Sequence, residues 1–213
     1  MWFPDKVTVA PDTQAAFDAW AKRLRRQIGL SGIDLSRDDD LAAALSSALS
    51  FAERYCSIHI LPRTVEVQCT SFQDMERVPV APVRSVVGIG YVTAEGLANT
   101  LPTGCYELHP DGLSASIGLA YCQQWPGVRR DSRITVTAAT GFPDPASVPD
   151  DIVFALVLHA GAACALGGRD LIVRSETVDG VGSTTYGGIV EVTGAQGRAV
   201  EALLQNFRCW PLA

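Results

Sequence analysis

The sequence predicts an α+β protein, and three observations carry that reading. Apolar residues recur at helical spacing in two segments near the start and two near the end. Between them the period drops to two, the spacing of half-buried strands. Three of the helical segments follow a capping-box pattern: Ser36-Arg37-Asp38-Asp39, Ser147-Val148-Pro149-Asp150 and Thr193-Gly194-Ala195-Gln196. In each, a Ser or Thr oxygen would accept from an orphan N–H, and the residue three later would reach back. The order is helix–helix, strand block, helix–helix.

Taken in turn, residues 1–11 read as extended, with Pro4 and Pro11 bracketing Val7 and Val9. A first helix over 12–28 is capped by Asp12 and stopped by Gly29, with Phe17, Trp20, Leu24 and Ile28 on one face. A second over 37–57 carries Leu41, Ala44, Leu45, Ala48, Leu49 and Ala52 as its stripe. Strands are expected at 65–70, 83–93, 105–109, 113–119 and 133–139, with Ala94-Glu95-Gly96, Pro110-Asp111-Gly112 and Trp125-Pro126-Gly127 as turns. Short strands at such regular spacing suggest a small antiparallel sandwich or barrel. A third helix over 148–166 is apolar nearly all round, the mark of a helix buried in a core or between subunits. Residues 174–192 are rich in Gly, Ser, Thr and Val and suit an arm or a β-hairpin. A fourth helix over 194–207 closes the pattern.

Composition narrows the function. The chain has 213 residues, of which 47% are hydrophobic and 19% charged, enough for a packed core. A net charge of −6 argues against a protein that grips nucleic acid through phosphates over a broad face. The longest apolar stretch, 152–166, is too short to span a bilayer. The first residues, Met-Trp-Phe-Pro-Asp-Lys, lack the pattern of a signal peptide. The six cysteines are scattered, with no CxxC pair and no His at metal-ligand spacing, so reduced thiols and no metal site are expected.

The residues offer little catalysis. His159 and Cys164 point to different sides of a helix. Cys105 and His109 share a strand face but suit a turn. Asp38-Asp39-Asp40 falls at a helix N-terminus, where the dipole alone favours acid. Gly88-Ile89-Gly90 and Gly180-Val181-Gly182 lack the strand–turn–helix setting of a phosphate loop. No cofactor is expected. The basic run Lys22, Arg23, Arg25 and Arg26 is either the solvated face of an amphipathic helix or a contact for DNA or an acidic partner. Trp2, Phe3 and Trp210 suit docking onto a partner or folding back onto their own domain.

Several segments resemble, in order and spacing, the head–tail connector (adaptor) proteins of tailed phages, of the longer type with an inserted β-domain. They are Ala48-Leu-Ser-Phe-Ala-Glu-Arg-Tyr55, Leu61-Pro-Arg-Thr64, Val80-Ala-Pro-Val-Arg-Ser-Val86, Trp125-Pro126, Ile134-Thr-Val-Thr-Ala-Ala-Thr-Gly141, Val148-Pro-Asp-Asp-Ile152 and Ala202-Leu-Leu-Gln-Asn-Phe-Arg208. The resemblance implies a four-helix unit over 1–61 and 147–213, with the β-domain inserted at 62–146. It also implies a non-enzymatic part of a virion or gene transfer agent neck, assembled in the host cytoplasm. Its copies, commonly twelve, would form a ring beneath the portal protein, extend the DNA channel and give the stopper or tail a seat. Ile152, Phe154, Leu156, Val157 and Tyr186 would then face a neighbouring subunit, and Phe207, Arg208, Trp210, Pro211 and Leu212 would dock into the portal. A small hydrolase, a ligand-binding α+β protein and an assembly chaperone are the alternatives.

Overall fold

The computed structural model describes residues 1–29, 38–167, 175–178, 182–185 and 189–209. The chain divides into two compact units. One, built on strands, takes Met1–Thr13, Cys56–Val148 and Phe207–Ala213; the other, built on helices, takes Gln14–Tyr55 and Pro149–Asn206.

In the strand unit, β1 (Lys6–Val9), β2 (Arg63–Cys69), β3 (Val83–Val92), β4 (Ala98–Thr100) and β7 (Ile134–Thr140) form one antiparallel sheet in the order β1-β2-β7-β3-β4. The ribbon of β5 (Tyr106–Asp111) and β6 (Ser114–Leu119) is separate. Alternation sets the register. Val65, Val67 and Cys69 of β2 stand opposite Ala138, Val136 and Ile134 of β7, and all six are fully buried. Ile89 of β3 lies opposite Val136 from the other side. The same core takes in Tyr106, Ala115 and Ile117 of the ribbon and Phe72 and Met75 of a 3₁₀ turn. The arrangement is therefore an asymmetric sandwich. It is not a barrel, because β1 and β4 remain edges.

All five expected strands form. Two more were not read from the sequence as sheet members: the N-terminal extended segment, which pairs with β2, and the three-residue β4. The 3₁₀ turn Phe72–Glu76 carries a capping box that the sequence reading missed. Ser71 Oγ accepts from the Gln73 amide at 3.2 Å, and Asp74 Oδ2 accepts from the Ser71 amide at 3.0 Å. Trp125 is an apolar anchor as expected, and its seat is Phe72, with ring centres 4.6 Å apart and planes 3° from parallel.

The helical unit contains α1 (Gln14–Gln27), α2 (Asp38–Cys56), α3 (Asp150–Gly167) and α4 (Ile189–Leu204), with the hairpin of β8 (Ser175–Val178) and β9 (Gly182–Thr185) between the last two. The predicted stripe of α2 is buried in full. α1 packs against α3 at Gly161, where an added Cβ would meet Leu24 Cδ1 at 3.7 Å, an ordinary contact. The capping boxes need correction. Ser147 does not cap α3. Its hydroxyl donates to the Asp144 carbonyl at 2.7 Å, and the first helical bond runs from the Val153 amide to the Pro149 carbonyl at 3.1 Å. Thr193 lies inside α4, which begins at Ile189, so the expected arm over 174–192 is part hairpin and part helix. Ser36 lies outside the described residues.

Gly141 leaves β7 with φ +84°, its amide donating to the Pro82 carbonyl at 3.0 Å. A Cβ at this position would clash with the Leu61 carbonyl oxygen. Gly29, at φ +72°, has open space around it. Gly141→Ala is expected to lower the stability of the chain by ~3 kcal/mol, and Gly29→Ala by ~1 kcal/mol, from backbone strain alone in the second case. Urea titration of the two variants checks the contrast.

Candidate functional site

The four basic residues of α1 do not form one open patch. Arg23 pairs with Asp150 at 3.0 Å, and Arg25 pairs with Asp38. These acids are the first residues of α3 and α2, where the helix dipole already favours negative charge. The Arg23 pair is well exposed and contributes roughly 0–0.5 kcal/mol. The Arg25 side chain is half-buried and holds its position more firmly. Lys22 and Arg26 point to solvent.

Of the residues expected at a subunit contact, Ile152, Leu156 and Val157 are buried within the chain itself. They have no surface to offer a neighbour, because α3 already turns that face inward. Phe154 differs: it stands 54% exposed on the opposite face, next to the exposed Asp151. The side chain of Tyr186 lies outside the described residues.

The carboxyl-terminal segment is described as far as Cys209, with Phe207 half-buried and Arg208 exposed. Phe207 and Arg208 follow α4 in a last 3₁₀ turn and an extended step. The Cys209 amide then donates to the Cys56 carbonyl at 2.7 Å. The segment through Cys209 is thus tied to the strand unit by its backbone. Trp210, Pro211 and Leu212 lie outside the described residues. At the other end, Trp2 and Phe3 pack at home: Trp2 Nε1 donates to the Asp74 carbonyl at 3.0 Å, and the Arg133 guanidinium sits 3.9 Å over the Phe3 ring.

The residues weighed as catalytic pairs have the following contacts. Cys105 Sγ meets Gln123 Oε1 at 3.6 Å, and the His109 ring lies over Gly118. His159 stacks on Phe51 with ring centres 4.7 Å apart. Among the described residues, no group of three His, Cys, Asp or Glu side chains is placed to hold a metal ion. No described helix is long and apolar enough to cross a membrane.

A different set of acid–base residues does come together. His59 Nδ1 lies 2.8 Å from Thr140 Oγ1, and His59 Nε2 lies 3.3 Å from Asp5 Oδ2. Burial, and next the Arg63 charge, hold the imidazole below its ordinary pKa despite Asp5. A neutral ring can donate to Asp5 only from Nε2, which leaves Nδ1 an acceptor facing Thr140 Oγ1, whose hydroxyl also lies 3.4 Å from the Arg63 carbonyl. The residue types match a nucleophilic triad, but Thr140 is 0% exposed and its hydroxyl is out of reach of a substrate. The set is a structural clasp from the N-terminal segment to the end of β7. Residues so distant in sequence carry no local signal that could have revealed it.

No protein-family model and no curated sequence matches the chain. Its fold is similar to chains in solved particle structures. One belongs to the neck of an empty GTA particle computed with C6 symmetry: TM-score 0.68, 20% identity, covering 99% of this chain and 98% of that one. A second comes from the virion of a native gene transfer agent particle, with TM-score 0.68, 22% identity and the same coverage. A third is in the neck of a native GTA particle computed with C12 symmetry, with TM-score 0.65, 18% identity and again 99% and 98% coverage.

The two perturbed histidines set a pH response. Burial also lowers the pKa of His159. Both groups have an ordinary value of 6.5. Below it, the unfolded chain binds protons that the folded chain refuses. Stability is therefore full above about pH 6.5 and falls as the pH drops beneath it. The urea midpoint is expected to fall between pH 7 and pH 5, with a shallower fall in His159→Gln.

Proposed function

We propose that this chain is a structural neck component of a phage or gene transfer agent particle. In this reading it is a head–tail connector (adaptor), without catalytic turnover, whose copies close into a ring beneath the portal. The ring extends the DNA channel and seats a stopper or the tail. The observation that carries the reading is the fold likeness to neck chains, which runs through both compact units from end to end. Twelve copies is the ring we infer.

The physics supports such a part. A ring needs two different surfaces on each copy that meet head to tail and close on themselves. Phe154, the large apolar side chain that α3 leaves exposed among its described residues, is the one we assign to that contact, with Tyr186 in the segment that follows. The net charge of −6 suits a channel that must let DNA pass without holding it. Lys22 and Arg26 are then available for brief contact with DNA or for a neighbouring acidic surface. We assign portal docking to Phe207, Arg208, Trp210, Pro211 and Leu212, on a segment whose backbone is anchored at Cys209. A buried tryptophan in a partner groove contributes ~2–4 kcal/mol per copy, repeated around the ring.

Purified particles are expected to contain the chain in a fixed ratio near that of the portal. Presence in lysate and absence from particles overturns the reading. A protein that stays monomeric or dimeric at high concentration favours a small enzyme or an assembly chaperone. Phe154→Asp is expected to leave helicity and melting unchanged while reducing ring-sized mass by light scattering at least tenfold. Truncation after Cys209 is expected to leave folding intact and abolish attachment to portal-bearing heads. Lower thermal stability with attachment preserved would assign the tail to the fold instead.

A further inference from the structure

Cys56 ends α2, and Cys209 follows the 3₁₀ turn Gln205–Phe207, yet the two meet in the strand unit. The Cys209 amide donates to the Cys56 carbonyl at 2.7 Å. From bond lengths alone, one N–H···O=C bond this short leaves the two Cα atoms roughly 4.5–6.5 Å apart, inside the span a disulfide bridges without backbone movement. The side chains also share one environment. Cys56 is fully buried and Cys209 half-buried, and the charge of an ionised Cys209 is felt at Cys56. Arg208 acts on the Cys56 thiol and Arg77 on the Cys209 thiol, each favouring a thiolate. Ser114 hydrogen-bonds Cys209.

We propose that Cys56 and Cys209 are a disulfide-forming pair, whose oxidation fastens the carboxyl-terminal segment covalently to the strand unit. The inference stands on this contact and does not rest on the neck reading. The oxidant is a low-molecular-weight disulfide. Cys209, the thiol that solvent reaches, loses its proton and attacks one sulfur of the oxidant. A mixed disulfide forms and one small thiolate leaves. Cys56 then loses its proton and attacks the Cys209 sulfur, releasing the second small thiolate. The protein gives up two electrons and two protons, and the oxidant becomes two thiols. Burial raises both thiols above their ordinary range, Cys56 to about 11, so the exchange is slow at neutral pH and quickens as pH rises.

The test uses the full chain carrying Cys122→Ser, which removes the exposed thiol that would link separate molecules. The protein is held with oxidised glutathione at alkaline pH, alkylated in denaturant and mapped by mass without reduction. The expected product is a single peptide pair joining Cys56 to Cys209, absent after dithiothreitol and absent in Cys209→Ser. The melting midpoint should rise by roughly 5 °C on oxidation, because the bridge closes a long loop in the unfolded chain. Three results overturn the proposal in protein shown folded by circular dichroism. One is that both thiols remain fully alkylated. The second is that Cys56 or Cys209 is joined to Cys69, Cys105 or Cys164. The third is that glutathione stays on Cys209 without transfer to Cys56.

Discussion

Backbone hydrogen bonds along Ile134–Thr140 join two halves of the sheet that no other described strand pairs: β1 and β2 on one side, β3 and β4 on the other. Every second side chain of that strand is fully buried, so the pairing and the core are one interaction. The strand is central in space but last in sequence among the strands of this sheet. Its partners must wait for it, and such non-local pairing folds slowly. The clasp of Asp5, His59 and Thr140 sits at its end, and Gly141 follows at once with the backbone angle that lets the chain leave.

A parallel constraint operates in the helical unit. The arginines of α1 reach the opening residues of α2 and α3, whose exposed amides already attract negative charge. A basic run that looks like a nucleic-acid patch in one dimension is thereby divided. Two members of it fix helix ends, and two face solvent.

What the sequence reveals here is what local periodicity encodes. The alternation at Val65, Val67 and Cys69, and the stripe from Leu41 to Ala52, translate directly into buried faces. Ala98–Thr100 left no such trace, because an edge strand of three exposed residues has no apolar alternation. The start of α4 was hidden by Ile189, Val190 and Val192, which favour strands, and by Gly194, which suggests a break. A box pattern at Thr193 was outweighed by a helix already under way, while a true box at Ser71 opened a turn too short to show a period. Side-chain meetings set by topology were out of reach altogether: Trp125 on Phe72, and His59 between Asp5 and Thr140.

The chain passes between its two units four times, at 13/14, 55/56, 148/149 and 206/207. During synthesis this produces an inverted schedule. All five strands of the large sheet have left the ribosome once residue 140 is free, so the strand unit can mature while translation continues. The helices α1 and α2 are made earlier but completed later, because the segments that share their unit begin at Pro149. For the interval between, the apolar stripe of α2 lacks those partners, and a pause in translation near residue 148 would prolong that exposure.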